Sequence, residues 1–82
     1  MIKEVTLPKI SENVDSGQVV DVLVQVGDEV DNEQSLVELE TDKATFELPS
    51  PVRGKVQEID IQKGDEVKTG QTIMKIDTEQ EY

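Results

Sequence analysis

The sequence predicts an all-β domain built from two small antiparallel sheets packed face to face, or a flattened barrel. Three observations support this fold class: short alternating apolar segments cut by Gly or Pro, an apolar set made mostly of Val, Ile and Leu, and an internal repeat. No window of useful length has a 3.6-residue period, so no long helix is expected. With 82 residues, a single domain with a thin core is expected.

The strands are expected in six segments, each of which alternates apolar and polar residues between turn residues. These segments are 3–7, 18–24, 36–40, 45–48, 55–61 and 72–76. Short further strands are expected beside the two Gly-Asp-Glu-Val turns.

The second half of the chain repeats the first. Residues 17–41 and 54–78 align without a gap at an offset of 37, and nine of the 25 aligned positions are identical. Nearer the N-terminus, Val5-Thr-Leu-Pro8 aligns with Phe46-Glu-Leu-Pro49, which assigns four extra loop residues to the first copy. One such unit is too small to bury an apolar face alone, so the two copies are expected to pack about a pseudo-twofold axis.

The composition excludes several classes of function. Lys plus Arg number 8 and Asp plus Glu number 19, so the net charge of −11 argues against binding to nucleic acid or to an anionic membrane surface. The same charge favours a partner with a basic docking face, with solubility alone as the alternative explanation. Because the chain has no Cys and no His, it lacks the residues for thiolate catalysis, Ser-His chemistry and His-ligated metals. No catalytic residue and no metal ligand is predicted.

Lys43 is predicted to lie at the tip of a β-hairpin. The inward face of this hairpin is expected to carry Val37, Leu39, Phe46 and Leu48, and the outward face Glu38, Glu40, Thr45 and Glu47. Pairing residue 39 with 46 and residue 37 with 48 centres the turn between Asp42 and Lys43. A slip of one residue would pair inward positions with outward ones, which burial opposes. Most lysines at such tips are simply solvated, so the position alone does not establish a function.

The segment Glu40-Thr-Asp-Lys-Ala44, followed by Thr45-Phe-Glu-Leu-Pro-Ser-Pro51, resembles the lipoylation site of lipoyl domains. Such domains occur in the acyltransferase components of 2-oxo acid dehydrogenase complexes. The resemblance extends through Leu7-Pro8, Gly17, Val26-Gly-Asp28, Pro49-Ser-Pro-Val-Arg-Gly54, Gly64-Asp65 and Gly70-Gln71. It implies a flattened β-barrel, or barrel-sandwich hybrid, of two four-stranded antiparallel sheets with an internal twofold.

The resemblance also implies a cofactor and a role. Lipoic acid would be joined by an amide bond to the side-chain amine of Lys43, and Glu40, Asp42 and Ala44 would form a recognition flank. The domain would be a non-catalytic carrier with a swinging arm. The arm takes an acyl group from a thiamine-diphosphate 2-oxo acid decarboxylase to the acyltransferase catalytic core, where coenzyme A accepts it. The flank residues have a plainer explanation as turn and solvated-strand residues.

The partners implied by the resemblance are a lipoylating enzyme, the decarboxylase, the acyltransferase core and a flavin-dependent dihydrolipoamide dehydrogenase. The isolated domain is expected to be a monomer. General resemblance of the Pro8 to Gly17 loop and of the Asp-Lys-Ala core favours pyruvate as the 2-oxo acid, with the oxoglutarate and branched-chain complexes left open. The expected location is the bacterial cytoplasm, or the mitochondrial matrix of a eukaryote.

The repeat predicts what lies beside Lys43. Its counterpart 37 residues later is Gln80, near the C-terminus, so the tip and the termini are expected at opposite ends. The longer loop of the first copy, residues 9–16, is then expected beside Lys43. Its residues Ile10, Ser11, Glu12, Asn13, Val14 and Asp15 are predicted to be a partner-recognition loop, as in the family, with a tolerated surface insertion as the alternative.

Other functions have to be distinguished from a lipoyl carrier. A biotinyl domain resembles this fold and also modifies a hairpin lysine, but that family usually flanks the lysine with methionines, and here the flanks are Asp42 and Ala44. An unmodified structural adaptor of the same sandwich type lacks the carrier lysine motif. The glycine-cleavage carrier is longer and has helices. An enzyme in its own right would need a nucleophile–base pair, and none is found.

Residues 1–77 are predicted to form the carrier domain, and residues 78–82 the start of a flexible linker or tail. The sequence shows no secretory signal, no transit peptide and no long apolar run, so neither a targeting segment nor a membrane-spanning segment is expected within these 82 residues.

Overall fold

The computed structural model describes residues 1–9 and 12–78, and within them the chain forms eight strands and no helix. The strands are β1 (Ile2–Thr6), β2 (Ser16–Val22), β3 (Glu29–Val30), β4 (Ser35–Glu40), β5 (Thr45–Pro49), β6 (Gly54–Ile59), β7 (Glu66–Lys68) and β8 (Thr72–Asp77). The six predicted strands are confirmed, and β3 and β7 are the short strands expected beside the Gly-Asp-Glu-Val turns. No helix in this part of the chain is long and apolar enough to cross a membrane.

Two predicted strands extend two residues too far towards their C-terminal ends. The ladder of β2 ends at Val22 and that of β6 at Ile59, whereas the predicted segments continued to residues 24 and 61. The cause is that Val24 and Ile61 are still buried after the ladder has ended. Alternating burial therefore persists into the turns, where it no longer reports strand pairing.

The two sheets confirm the predicted twofold. One has the strand order β1-β8-β6-β3 and the other β5-β4-β2-β7, with every pair antiparallel. Exchanging each strand for its repeat counterpart (β1 for β5, β2 for β6, β3 for β7 and β4 for β8) converts one order into the other. The extents of 37 × 24 × 17 Å give the flattened shape expected for this fold.

Most of the core is built from equivalent positions of the two copies. Six buried positions of the first copy have buried apolar counterparts 37 residues later: Val19/Val56, Val24/Ile61, Val30/Val67, Leu36/Ile73, Val37/Met74 and Leu39/Ile76. The copies are also joined by matching backbone bonds, because Gly27 N–H donates to the Val56 carbonyl (2.9 Å) and Gly64 N–H to the Val19 carbonyl (2.8 Å). Neither half could bury its apolar face without the other.

The predicted alignment of the first strand with the fifth is wrong by two residues. In the structure Val5 pairs with Met74, and Leu48 pairs with Val37. Since Met74 and Val37 are counterparts, Val5 corresponds to Leu48, an offset of 43, rather than to Phe46. The two Leu-Pro dipeptides that suggested the earlier alignment are a chance similarity, because cross-strand pairing and burial fix the register.

This correction lengthens the loop that distinguishes the copies. Leu7 N–H donates to the Gln71 carbonyl, and Ser50 N–H donates to the Gln34 carbonyl. Because Gln71 and Gln34 are repeat counterparts, Leu7 and Ser50 are counterparts as well. The offsets of 43 before the loop and 37 after it differ by six. The first copy therefore has six extra residues after Leu7, rather than the four that were predicted.

The hairpin tip and the chain termini are symmetry counterparts. Thr41 N–H donates to the Ala44 carbonyl (2.8 Å), and Thr78 N–H donates to the Met1 carbonyl with the same length. The Met1 ammonium also pairs with Asp77 Oδ1 at 3.1 Å. Thr78 is buried with the domain, one residue beyond the predicted boundary. The rest of the predicted tail, like Gln80, lies outside the described residues, so the division into domain and tail stays a prediction.

Candidate functional site

Lys43 lies at the tip of the β4–β5 hairpin, where alternation placed it. Leu39 pairs with Phe46 and Val37 with Leu48, which are the pairs inferred from the sequence. The last ladder pair is Glu40 with Thr45, so residues 41–44 form the tip. Burying the inward face holds this register, because a one-residue slip would expose the apolar side chains on both strands.

The side chain of Lys43 is exposed and free for chemistry. Among residues 1–9 and 12–78, none hydrogen-bonds to its Nζ and none forms an ion pair with it. Asp42 and Ala44 on either side are also exposed, and so is Glu40 at the end of β4. An amine at this position can be reached by an enzyme and acylated without unfolding any part of the domain.

Thr41 organises the backbone of the tip, and the sequence reasoning did not assign it this role. Its Oγ1 accepts hydrogen bonds from Ala44 N–H (3.1 Å) and Lys43 N–H (3.3 Å), and it donates one to the Ala44 carbonyl (2.9 Å). The signal was present in the sequence, since a threonine before a turn commonly bonds to backbone groups two or three residues on.

A shallow polar cavity of about 290 Å³ lies beside Lys43. Its lining combines the tip with the start of β2, one residue of β7 and the loop before β2: Asn13, Val14, Asp15, Ser16, Gly17, Gln18, Glu40, Thr41, Asp42, Lys43 and Glu66. Gln18 pairs with Glu40 on one side and with Glu66 on the other, which brings these three strands together below the tip. Sequence reasoning missed Gln18 and Glu66, because nothing local to either residue indicates the tip.

The electrostatic character of this cavity depends on the state of Lys43. Its lining includes four carboxylates (Asp15, Glu40, Asp42 and Glu66) and the single ammonium group of Lys43. Forming an amide at Lys43 would remove that one positive charge and leave the four carboxylates. The modified tip would therefore be more acidic than the unmodified tip, and a basic partner surface would complement it better.

The loop before β2 lies beside Lys43, as the repeat predicted. Val14 is buried, and the Asp15 carbonyl accepts hydrogen bonds from the N–H (2.8 Å) and Oγ1 (3.1 Å) of Thr69. Glu12 and Asn13 remain exposed. The anchored residues thus hold the loop while its exposed residues stay available to a partner. Ile10 and Ser11 lie outside the described residues, and the recognition role of the loop stays a prediction.

The outer faces of the two sheets differ in charge. Glu38 on β4 lies between Asp21 and Glu47 on the neighbouring strands, and we call these three residues the carboxylate row. In the counterpart row of the other sheet, Lys75 lies between Glu58 and Glu4. The lysine ion-pairs with Glu58 (3.6 Å), whereas the carboxylate row has a third acid at its centre. The hairpin that bears Lys43 therefore has the more acidic outer face.

The second cavity of the fold is remote from the tip chemistry. It has a volume of about 420 Å³ and lies between the edge strands β1 and β5. Its lining contains no member of the tip. Within residues 1–9 and 12–78, no group of three or more acidic side chains is arranged to hold a metal ion.

Comparison with known proteins identifies one family. The family model Biotin_lipoyl, described as biotin-requiring enzyme, matches residues 3–76. The chain is 46% identical over 55 residues to the dihydrolipoyllysine-residue acetyltransferase component of the pyruvate dehydrogenase complex of Bacillus subtilis. It is 47% identical over 51 residues to the lipoamide acyltransferase component of the branched-chain alpha-keto acid dehydrogenase complex of Pseudomonas aeruginosa. These matches cover 67% and 62% of this chain, but only 12% of either relative.

Two solved structures share the fold over nearly the whole chain. The solution structure of the lipoyl domain of the 2-oxoglutarate dehydrogenase complex of Azotobacter vinelandii has a TM-score of 0.73 at 27% identity, covering 92% of this chain and 95% of that domain. The urea carboxylase of Kluyveromyces lactis has a TM-score of 0.78 at 21% identity, covering 93% of this chain and 6% of that protein. The second likeness concerns the fold alone.

Proposed function

This chain belongs to the biotin- and lipoyl-attachment family, and we propose that it is a lipoyl carrier domain modified on Lys43. The observation that carries the proposal is the position of Lys43, exposed at the tip of a hairpin whose register is fixed by burial and without a partner among residues 1–9 and 12–78. The relatives with 46% and 47% identity are named as a dihydrolipoyllysine-residue acetyltransferase component and a lipoamide acyltransferase component. The likeness to a urea carboxylase does not favour biotin, because at 21% identity it reports only the fold.

The tip fits the attachment of lipoic acid through an amide. Amide formation needs an accessible amine, and the Lys43 side chain is exposed with no partner among the described residues. The flanking Ala44 is small and Asp42 is polar, so neither blocks the approach of an enzyme. When attached, the lipoyl group supplies a dithiolane for redox and thioester chemistry.

The residues of the chain present this group and do not perform the chemistry. The hairpin holds the point of attachment at one end of the domain, and Met1 and Thr78 meet at the symmetric counterpart of the tip. A chain continuing from the termini could therefore tether the domain without covering Lys43. Such tethering raises the effective concentration of the tip at each partner active site.

We further propose that the domain serves a 2-oxo acid dehydrogenase complex, with pyruvate as the favoured substrate. The partners would be a lipoylating enzyme, the thiamine-diphosphate decarboxylase, the acyltransferase core and the flavin dehydrogenase. Identities of 46% to a pyruvate complex component and 47% to a branched-chain component do not by themselves separate the two substrates. The choice of pyruvate rests on the general resemblance of the Pro8 to Gly17 loop and of the Asp-Lys-Ala core. The location proposed with this function is the cytoplasm of a bacterium, or the mitochondrial matrix of a eukaryote.

Intact mass spectrometry tests the modification. The wild-type domain, Lys43→Arg and a control Lys63→Arg, which changes an exposed turn lysine, are produced in cells supplied with both lipoate and biotin. We expect a lipoyl-sized mass increase in the wild type and in Lys63→Arg, and none in Lys43→Arg. A biotin-sized increase, or an unmodified wild type where a control lipoyl domain is modified, would contradict the proposal.

The choice of complex is tested with the lipoylated domain and three decarboxylases. Initial rates of reductive acylation are measured with the pyruvate, oxoglutarate and branched-chain enzymes, each supplied with its own substrate. We expect the pyruvate enzyme to give the highest kcat/KM. Shortening the loop by its six extra residues should lower kcat/KM with the pyruvate enzyme without a matching loss of thermal stability. Equal rates with all three enzymes would refute the choice of pyruvate.

A further inference from the structure

The hairpin tip is closed differently from its symmetric counterpart. At the terminal end, Thr78 N–H donates to the Met1 carbonyl (2.8 Å), and the Met1 ammonium donates back to the Thr78 carbonyl (3.1 Å). At the tip, Thr41 N–H donates to the Ala44 carbonyl in the same way, but Ala44 N–H donates to the hydroxyl of Thr41. The side-chain oxygen of Thr41 has replaced the backbone carbonyl in the second bond.

This replacement suits a turn without glycine. The tightest two-residue hairpin turns require positive φ at one or both central residues, which Asn-Gly or Asp-Gly sequences supply. Neither Asp42 nor Lys43 has a positive φ, so the tip adopts another turn geometry. In that geometry the amides of Lys43 and Ala44 would bond only to water if the Thr41 hydroxyl were absent. Thr41 Oγ1 instead accepts a hydrogen bond from each of them (3.3 and 3.1 Å).

We propose that Thr41 is a positioning residue for the modified lysine, and this inference rests on the proposed lipoyl function. Its hydroxyl fixes the backbone of Lys43 and so sets the direction in which the lysine side chain leaves the tip. Thr41 itself reacts with nothing. It acts through Lys43 on two enzymes that approach the tip, the lipoylating enzyme and the decarboxylase.

The role predicts a functional loss without a matching loss of stability. The bonds that Thr41 makes lie on the exposed tip, where water can replace them, so removing the hydroxyl should leave the fold intact. Catalysis is more sensitive, because misplacing a reacting group by about 1 Å can lower a rate about a hundredfold. For a loosened tip we expect kcat/KM for lipoylation to fall by about tenfold.

The test compares Thr41→Val, which keeps the branched shape, with Thr41→Ser, which keeps the hydroxyl. Thr72→Val serves as the matched control, because it removes a threonine hydroxyl that bonds to Glu4 outside the tip. Two quantities are measured on the complete unloaded domain: amide hydrogen exchange at Lys43 and Ala44, and kcat/KM for lipoylation by a lipoate ligase. If Thr41→Val does not fold, Thr41→Ala takes its place as the variant without a hydroxyl.

We expect Thr41→Val to speed exchange at the two tip amides and to lower kcat/KM, while Thr41→Ser and Thr72→Val stay close to wild type in both. Unchanged exchange, or faster exchange with unchanged lipoylation, would overturn the proposal. So would a Thr41→Ser variant as impaired as Thr41→Val. If the wild-type domain is not lipoylated at all, the proposed function fails, and that result is separate from the exchange measurement.

Discussion

Two glycines at equivalent positions of the repeat should respond in opposite ways to alanine. A Cβ at Gly54 would lie 2.5 Å from the Asp77 carbonyl oxygen and 2.8 Å from a methyl carbon of Ile76. At its counterpart Gly17, the nearest atom is the Glu40 carbonyl oxygen at 3.5 Å, which is an ordinary contact. The obstacle at Gly54 includes backbone of the neighbouring strand, so it cannot move aside as a flexible side chain would.

The magnitude follows from this geometry. Overpacking of this kind costs about 1–3 kcal/mol, and the lower entropy of the unfolded alanine chain offsets only about 0.4–1 kcal/mol of it. Gly54→Ala should therefore lower the midpoint of thermal unfolding, by roughly 4–8 °C for each kcal/mol lost. Gly17→Ala should leave it unchanged or raise it, since glycine inside a strand is about 0.5–1 kcal/mol less favourable than alanine.

Thermal and urea unfolding of the unloaded domain measure both variants against the wild type. The m-value should be the same for all three chains, so that the midpoints compare stability directly. A Gly54→Ala variant as stable as Gly17→Ala would contradict this expectation, because the expected difference rests on the space beside each glycine.

Three further changes test other parts of the account. Glu38→Lys gives the carboxylate row the charge pattern that Lys75 gives the counterpart row. It should stabilise the domain by about 1 kcal/mol in urea unfolding at low salt and by less at high salt. No gain in stability at low salt would contradict this expectation. Glu33 has a φ of 69° where its repeat counterpart is a glycine. Glu33→Gly should therefore raise stability by up to about 1 kcal/mol, and a loss would contradict this reasoning. A hydrogen bond with Asp60 and the charge of that residue raise the pKa of Glu58 above its ordinary 4.5. The stability that this shift of Glu58 contributes is therefore present below pH 4.5 and lost as pH rises through the raised pKa. In an NMR titration Asp60→Asn should bring that pKa back towards 4.5, and an unmoved titration would disprove the assignment.

Alternation and the repeat predicted the parts of the fold that burial controls. The register of Leu39 with Phe46 was correct because any slip would have exposed both faces of the hairpin. The alignment of β1 with β5 was wrong because two Leu-Pro dipeptides resembled each other, whereas the true counterpart of Val5 is Leu48. Sequence similarity between two five-residue strands indicates which residues correspond less reliably than the hydrogen-bond ladders to which the strands belong.

The candidate site was predictable in its centre and less so in its supports. The position of Lys43 followed from the alternation and pairing of its hairpin, and the loop beside it followed from the repeat. Thr41 bonds to backbone groups two and three residues on, which its place before the turn could have indicated. Thr69 bonds to the carbonyl of Asp15, and such a bond depends on where two separate loops end in space. Glu66 joins the cavity only because β7 pairs with β2, which no local pattern indicates.

A tryptic peptide map of the domain produced with lipoate and biotin shows which lysine is modified and with which cofactor. Trypsin cleaves after Lys9, Lys43 and Arg53, but acylation of Lys43 removes the site between the other two. We expect a peptide of residues 10–53 carrying one lipoyl group in the wild type, and peptides 10–43 and 44–53 in Lys43→Arg. Complete cleavage after residue 43 in the wild type, a lipoyl group on any other lysine, or biotin on this one would contradict it.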